Sequence, residues 1–259
     1  LGNFAGYCPY QFYFLPPSLL IVALSTLVPL NVAFKLVTAL GTYLLPLTTT
    51  LSLRAMGFSA AASAVGASAS LLFLFNEGNS MWGGNIPSTL AGEYSFALGF
   101  ALAALFLGLI YRGVTTGRGW RLQATVLALS GLSHPVAFIN AVTPGLFFLL
   151  DRANFAKNLR YLIVVYGTAV LLMGFWLFPV VAKVGFSTSI NWTWHFQSWH
   201  EPLPRILIPV AILALLDVIW VLVRRTPETR PARYLAFGVL ITVITFYNAT
   251  TAGLPEIRF

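Results

Sequence analysis

The sequence predicts an all-α, polytopic membrane bundle, and three observations carry that prediction. Charged residues are only 8% of the chain and hydrophobic residues 58%. A soluble domain carries about 25% charged residues, so this chain cannot cover itself with a wetted surface. Several apolar runs approach the roughly 20 residues that a helix needs to cross a ~30 Å hydrocarbon core. The runs are continuous rather than alternating, which selects helices over a closed barrel, the other architecture that satisfies its backbone in lipid.

Taken in order, Phe12–Val28 is apolar but carries Pro16-Pro17 near its start. A helix lying in the membrane interface, or a re-entrant segment, fits it as well as a span does. Its aromatic lead-in (Tyr7, Tyr10, Tyr13) suits the interface, where ring bodies meet lipid and polar tips meet water. Val32–Leu53 reads as a span kinked at Pro46, followed by a tight turn over 54–58. Ser59–Phe75 is the next span. Its small residues recur every four positions (Ala60, Ala64, Ser68; Ser59, Ser63, Ala67), a pattern that lets helix backbones approach closely. Tyr94–Tyr111, Tyr161–Val181, Ile206–Val223 and Tyr234–Thr250 bring the expected total to about six full spans. Leu122–Leu150 is too long for one span and too short for two. Two short helices meeting at Ser133-His134-Pro135 resolve this. At ~1.5 Å per residue, twelve residues climb about 18 Å, so the expected hairpin turns back within the membrane. Broken backbone at that depth needs protein or a wet cavity around it.

The net charge of +8 reflects orientation and not nucleic-acid binding. Arg54, Arg112, Arg118, Arg121, Arg152, Lys157, Arg160, Arg224, Arg225, Arg230 and Arg233 fall in four loops that share one face, if 122–150 returns to the face it left. The positive-inside bias makes that face cytoplasmic. The opposite face holds Glu77, Glu93, Glu201 and Glu256 with His195 and His200, and His134 points towards it. Any chemistry is therefore expected on the non-cytoplasmic side. The single cysteine, Cys8, excludes an internal disulfide. The chain opens without Met and both ends fall in polar, motif-like stretches. The expected organisation is one transmembrane domain over 1–259, a fragment of a longer membrane protein lacking its N-terminal span and C-terminal helices.

The stretch Asn76–Tyr94 has no Lys or Arg but two carboxylates, and apolar runs flank it. Glu93 and Glu77 are the catalytic candidates, since a carboxylate there can serve as a general base or hold a sugar hydroxyl. For Glu93 the competing account is a dipole interaction at the start of the next helix, worth about 0.3–1 kcal/mol. For Glu77 it is plain solvation. Gly83-Gly84 and Gly92 allow backbone to approach a ligand. Trp82 and Asn85 can stack on and hydrogen-bond a sugar, or serve as an interface aromatic and a turn residue. Ser88 and Thr89 are expected to cap the following helix. His134, at a helix break inside the membrane, is a substrate-binding candidate because polar groups at depth are often functional. His200 lies in a Trp- and His-rich stretch with Trp192, Trp194, His195, Trp199 and Glu201. This reads as an interfacial helix or a lid, and its spacing matches no zinc pattern, so no metal is expected. Asp217 is expected to pair with Arg224 or Arg225. Arg258 is a phosphate-ligand candidate if the chain end folds inwards, and otherwise a local partner of Glu256.

The stretch Trp82-Gly-Gly-Asn-Ile-Pro-Ser-Thr-Leu-Ala-Gly-Glu93 resembles a group of prokaryotic polytopic membrane proteins labelled as 6-pyruvoyl-tetrahydropterin synthase-related. Residues 3–7, 11–14, Leu132-Ser-His-Pro135 and 253–259 support the resemblance, and nothing in them points to pterin chemistry. That group is similar in layout to the GT-C glycosyltransferases, multi-span enzymes that use polyprenyl-phosphate-linked sugars at the outer face. The resemblance implies a GT-C-like bundle in a prokaryotic plasma membrane, with a lipid-linked sugar donor and membrane lipids as partners; the residues support no cofactor, and a divalent metal stays open. It implies that Phe12–Val28 is a surface helix and that an acidic loop precedes Leu1. It reaches Glu93, Asn85, His134 and Arg258 as motif members. A transporter or lipid flippase, or a scaffold subunit of an envelope assembly, is the alternative.

Overall fold

The computed structural model describes residues 14–77, 83–183, 203–224 and 226–251, with backbone alone for 222 and 246–251. Within these residues the chain is helical and forms no strand. Helix α1, Leu15–Ser25, begins on Pro16-Pro17, whose fixed φ suits the first helical turn. Its 11 residues rise only about 16 Å, too little to cross a bilayer. Helices α2 (Leu30–Met56) and α3 (Ala60–Leu74) follow. They meet at a turn in which Gly57 takes a left-handed φ of 99° and Arg54 Nη1 donates to Phe58 O at 2.8 Å. Ser59 caps α3, accepting from the Ala62 N–H at 3.2 Å.

Helix α4, Tyr94–Thr116, is the hub. Together with the turns before it, it forms an apolar stretch that is 56% buried, against 22% for α2 and 28% for the stretch ending at Ala182. α2 and α4 run parallel and touch backbone to backbone at two levels. A Cβ on Gly41 would fall on the backbone of Ala97, and one on Gly108 on the backbone of Ser52. Each helix thus supplies a glycine where the other's main chain passes. The small residues of α3 behave differently on their two faces. Ser63 is fully buried, whereas Ala60, Ala64 and Ser68 are exposed.

The expected break is present. Helix α5 (Trp120–Ser133) ends where His134 adopts extended φ/ψ of −166° and 129°. Helix α6 (Pro135–Val142) then runs into the 3₁₀ segment Thr143–Leu150. Both ends of this unit lie against the start of helix α7, Phe155–Ala182. Tyr161 Oη donates to Arg118 O at 2.7 Å, and Asn158 Nδ2 donates to Phe148 O at 2.8 Å. The chain from 120 to 150 therefore leaves one end of the bundle and returns to it. At its far end, Ser130 Oγ donates to Gly99 O at 2.9 Å, and Gly99 faces Ser133 and Ala137. The tip is thus level with the first turns of α4.

Helices α8 (Ile208–Val223) and α9 (Arg230–Thr251) complete the described chain. α9 packs on the 3₁₀ segment through an aromatic cluster of Tyr111, Phe147, Phe148 and the fully buried Tyr234. Among the described residues, three stretches are long and apolar enough to cross a membrane: Leu30–Met56, Ile86–Thr116 and Arg152–Ala182. The other expected spans are helical. However, α3 and α8 have 15 and 16 residues, and α9, at 22, is not among the three. Asp217 is exposed and forms no ion pair with Arg224, and its other expected partner, Arg225, lies outside the described residues. Among the described residues, the ion pair at this end joins Arg230 to Asp151 at 3.3 Å.

Candidate functional site

The loop preceding α4 is shaped by its own polar groups. Asn85 is buried, and its Nδ2 donates to Asn76 O at 2.8 Å. Its Oδ1 accepts from the Ser88 N–H at 3.1 Å, capping the short turn Ile86–Ser88. Ser88 Oγ accepts from the Gly83 N–H at 3.1 Å, and Thr89 Oγ1 donates to Asn85 O at 2.8 Å. Ser88 and Thr89 therefore tie the loop to itself. The residue at the head of α4 is Glu93, whose side chain makes no capping bond. It ends a π-helical turn, Thr89–Glu93, broken by Gly92 at φ 123°. Glu93 is half-buried and Glu77 is exposed.

Gly83 and Gly84 sit at φ 82° and 87°, in the region that favours glycine. Both are buried against aromatic rings. A Cβ on Gly83 would come within 2.6 Å of Phe96 Cδ1, and one on Gly84 within 3.1 Å of Phe73. These two glycines are thus spent on packing the loop. Gly92 is exposed, and a Cβ there would meet nothing within 4 Å.

Phe96 links the loop to the helix break. Its ring meets His134 edge-on at 5.0 Å between centroids, and the imidazole also meets Phe14 at 4.7 Å. His134 Nδ1 accepts from the Val136 N–H at 3.3 Å, which leaves the proton of the neutral ring on Nε2. Beside it, Ser133 Oγ is buried with no partner among the described residues. The structure therefore brings Gly83–Glu93, His134 and Phe14 to one end of the bundle. The sequence spacing did not point to Phe96, which is one of 21 phenylalanines.

Next to the loop lies a groove of about 530 Å³ between α2 and the turn at 86–90. Lys35, Thr38, Thr42, Thr89 and Leu90 line part of it. Thr38 Oγ1 is buried with no partner among the described residues. Lys35, in the second turn of α2, brings a positive charge to this groove. No cluster of three potential metal ligands occurs among the described residues. Trp82, His195, His200, Glu201, Glu256 and Arg258 lie outside the described residues.

Long apolar helices with lipid-compatible outer faces and a polar loop closed over one end define a polytopic α-helical membrane protein. Residues 10–255 match the family described as the 6-pyruvoyl-tetrahydropterin synthase related domain, a membrane protein family. The chain belongs to that family, as its motifs lead one to expect. Comparison with curated proteins and with solved structures yields no match.

Proposed function

We propose that this protein is a GT-C-like membrane glycosyltransferase of the prokaryotic plasma membrane. In this reading it moves a sugar from a polyprenyl-phosphate-linked donor to an acceptor on the non-cytoplasmic face. The observation that carries the reading is the convergence of three separate motif stretches, around Phe14, Gly83–Glu93 and His134, at the bundle end opposite the arginine-rich loops. α2, α3, α4, α7, α8 and α9 are then six spans, α1 lies in the interface, and 120–150 is a re-entrant hairpin. A hairpin tip surrounded by Phe14, Phe96 and α4 meets the requirement that broken backbone be enclosed by protein.

In this scheme Glu93 takes the proton of the acceptor hydroxyl. The acceptor oxygen bonds to the anomeric carbon as the bond from that carbon to the phosphate oxygen breaks. The electron pair leaves with the polyprenyl phosphate. Charge develops on that leaving group, and fixed donors aimed at it lower the barrier. His134 Nε2–H, Arg258 and Lys35 in its groove are the donors available. Trp82 and His200 contact the sugar. Asn85, whose amide is engaged by Asn76 and Ser88, acts by holding the loop. Glu77, at the loop's exposed start, is the second carboxylate.

The test is transfer from a labelled polyprenyl-phospho-sugar by purified full-length protein. Glu93→Gln is expected to lower turnover by about 10²–10⁴, the usual worth of a general base. Unchanged turnover in both Glu93→Gln and His134→Ala would remove the site from this end of the molecule.

A further inference from the structure

We infer that the arginine-rich end carries a built site for an anionic phospholipid, in the groove that α9 forms with α8 and the 3₁₀ segment. The cavity there is about 770 Å³, walled by Phe147, Val218, Val221, Phe237, Leu240 and Val243, with Arg230, Arg233 and Asp151 also lining it. Its polar groups sit at one end. The arginines begin α9 and Val243 lies thirteen residues on, so the groove extends about 20 Å along the helix. That exceeds the ~15 Å depth of one hydrocarbon leaflet. The shape is a cationic mouth above an apolar trough.

Two guanidiniums face one carboxylate at the mouth. Asp151 Oδ2 accepts from Arg230 Nη2 at 3.3 Å, and the two side chains are 35% and 28% exposed. Arg233 Nη2 is fixed on Thr226 O at 3.1 Å. Its Nε is buried with no partner among the described residues. The Arg233 guanidinium lines the mouth without a carboxylate partner among the described residues, so one positive charge remains for an oxyanion. Guanidinium donors suit a phosphate, which accepts through several oxygens. A free phosphate would gain nothing from the apolar walls, whereas an acyl chain would bury them. Basic pockets between helices on the cytoplasmic side attract anionic headgroups for the same reasons. The site is independent of any chemistry at the opposite end.

The experiment uses the full-length protein in detergent, with lipid retention measured by native mass spectrometry and thermal shift. Phosphatidylglycerol is expected to bind and stabilise, phosphatidylcholine less so, and inorganic phosphate not to compete at equal concentration. Arg230→Gln with Arg233→Gln should weaken phosphatidylglycerol binding roughly tenfold to thirtyfold. Leu240→Trp, which fills the trough without changing charge, should also weaken it. Asp151→Asn, which frees Arg230, should strengthen it, and this opposite sign decides the matter if the double variant fails to fold. Equal retention of both lipids, full competition by inorganic phosphate, or unchanged or weaker binding in Asp151→Asn would overturn the site.

Discussion

The two ends of this bundle solve the same problem with different chemistry. At the Glu93 end, the loop's polar groups are tied to the loop itself, and a bond from Ser130 to Gly99 joins two helices there. Asn85, Ser88 and Thr89 bond within ten residues, and His134 contacts two phenyl rings. At the arginine-rich end, polar groups reach across the fold. Tyr161 bonds to Arg118, Asn158 to Phe148, and Arg230 to Asp151. The first arrangement preorganises a local surface that leaves a half-buried carboxylate without a capping bond. The second ties α7, α9, the 3₁₀ segment and the α4–α5 turn into one end. Changes at the first end should therefore alter activity more than folding, and changes at the second the reverse.

The largest expected effect would break both ends at once. Gly108→Leu drives a side chain into the backbone of Ser52. Overpacking of this kind costs about 1–3 kcal/mol or more, and a backbone obstacle cannot repack, so folded yield on size exclusion should collapse. Gly41→Leu should do the same. Next comes the catalytic contrast. Glu93→Gln should suppress transfer, Glu77→Gln should reduce it far less, and Arg118→Gln should leave turnover intact. Equal losses in all three would erase the distinction between the ends. Asn158→Leu removes the bond to Phe148 O and leaves a buried carbonyl unsatisfied, which costs about 1–3 kcal/mol. Its midpoint of thermal unfolding should fall while turnover per folded molecule holds. The smallest effect is expected at Tyr234, whose buried hydroxyl has no partner among the described residues. Tyr234→Phe should be neutral or slightly stabilising, and a loss above about 1 kcal/mol would show that the hydroxyl is bonded.

Much of this arrangement was legible in the sequence, and the reasons differ by element. The break at Ser133-His134-Pro135 could be read because a residue before proline avoids helical geometry, and the length of 122–150 demanded a reversal. Pro16-Pro17 made Phe12–Val28 doubtful as a span, and the helix there, Leu15–Ser25, is indeed short. The polarity of the two ends followed from where the arginines stand, and α4, running from Glu93 towards Arg118, keeps the two groups at opposite ends. Span lengths were less legible. Hydropathy runs do not reveal that Leu207 closes a 3₁₀ turn before α8 begins at Ile208. Asn85 looked available for a ligand, because its partners Asn76 and Ser88 become neighbours only when the loop closes. Phe96 and Lys35 were hidden for a similar reason. A ring's importance lies in which surfaces it separates, and a lysine's in which groove it borders. Neither depends on neighbours in sequence.

The reciprocal glycines of α2 and α4 have a mechanical consequence. Two helices that meet main chain to main chain at two levels cannot slide without unseating both contacts. They move as a single beam running from the carboxylate loop to the arginine belt. Any part of the bundle that opens must be hung on that beam and cannot be part of it. Amide exchange along 41–52 and 97–108 should accordingly be the slowest in the protein.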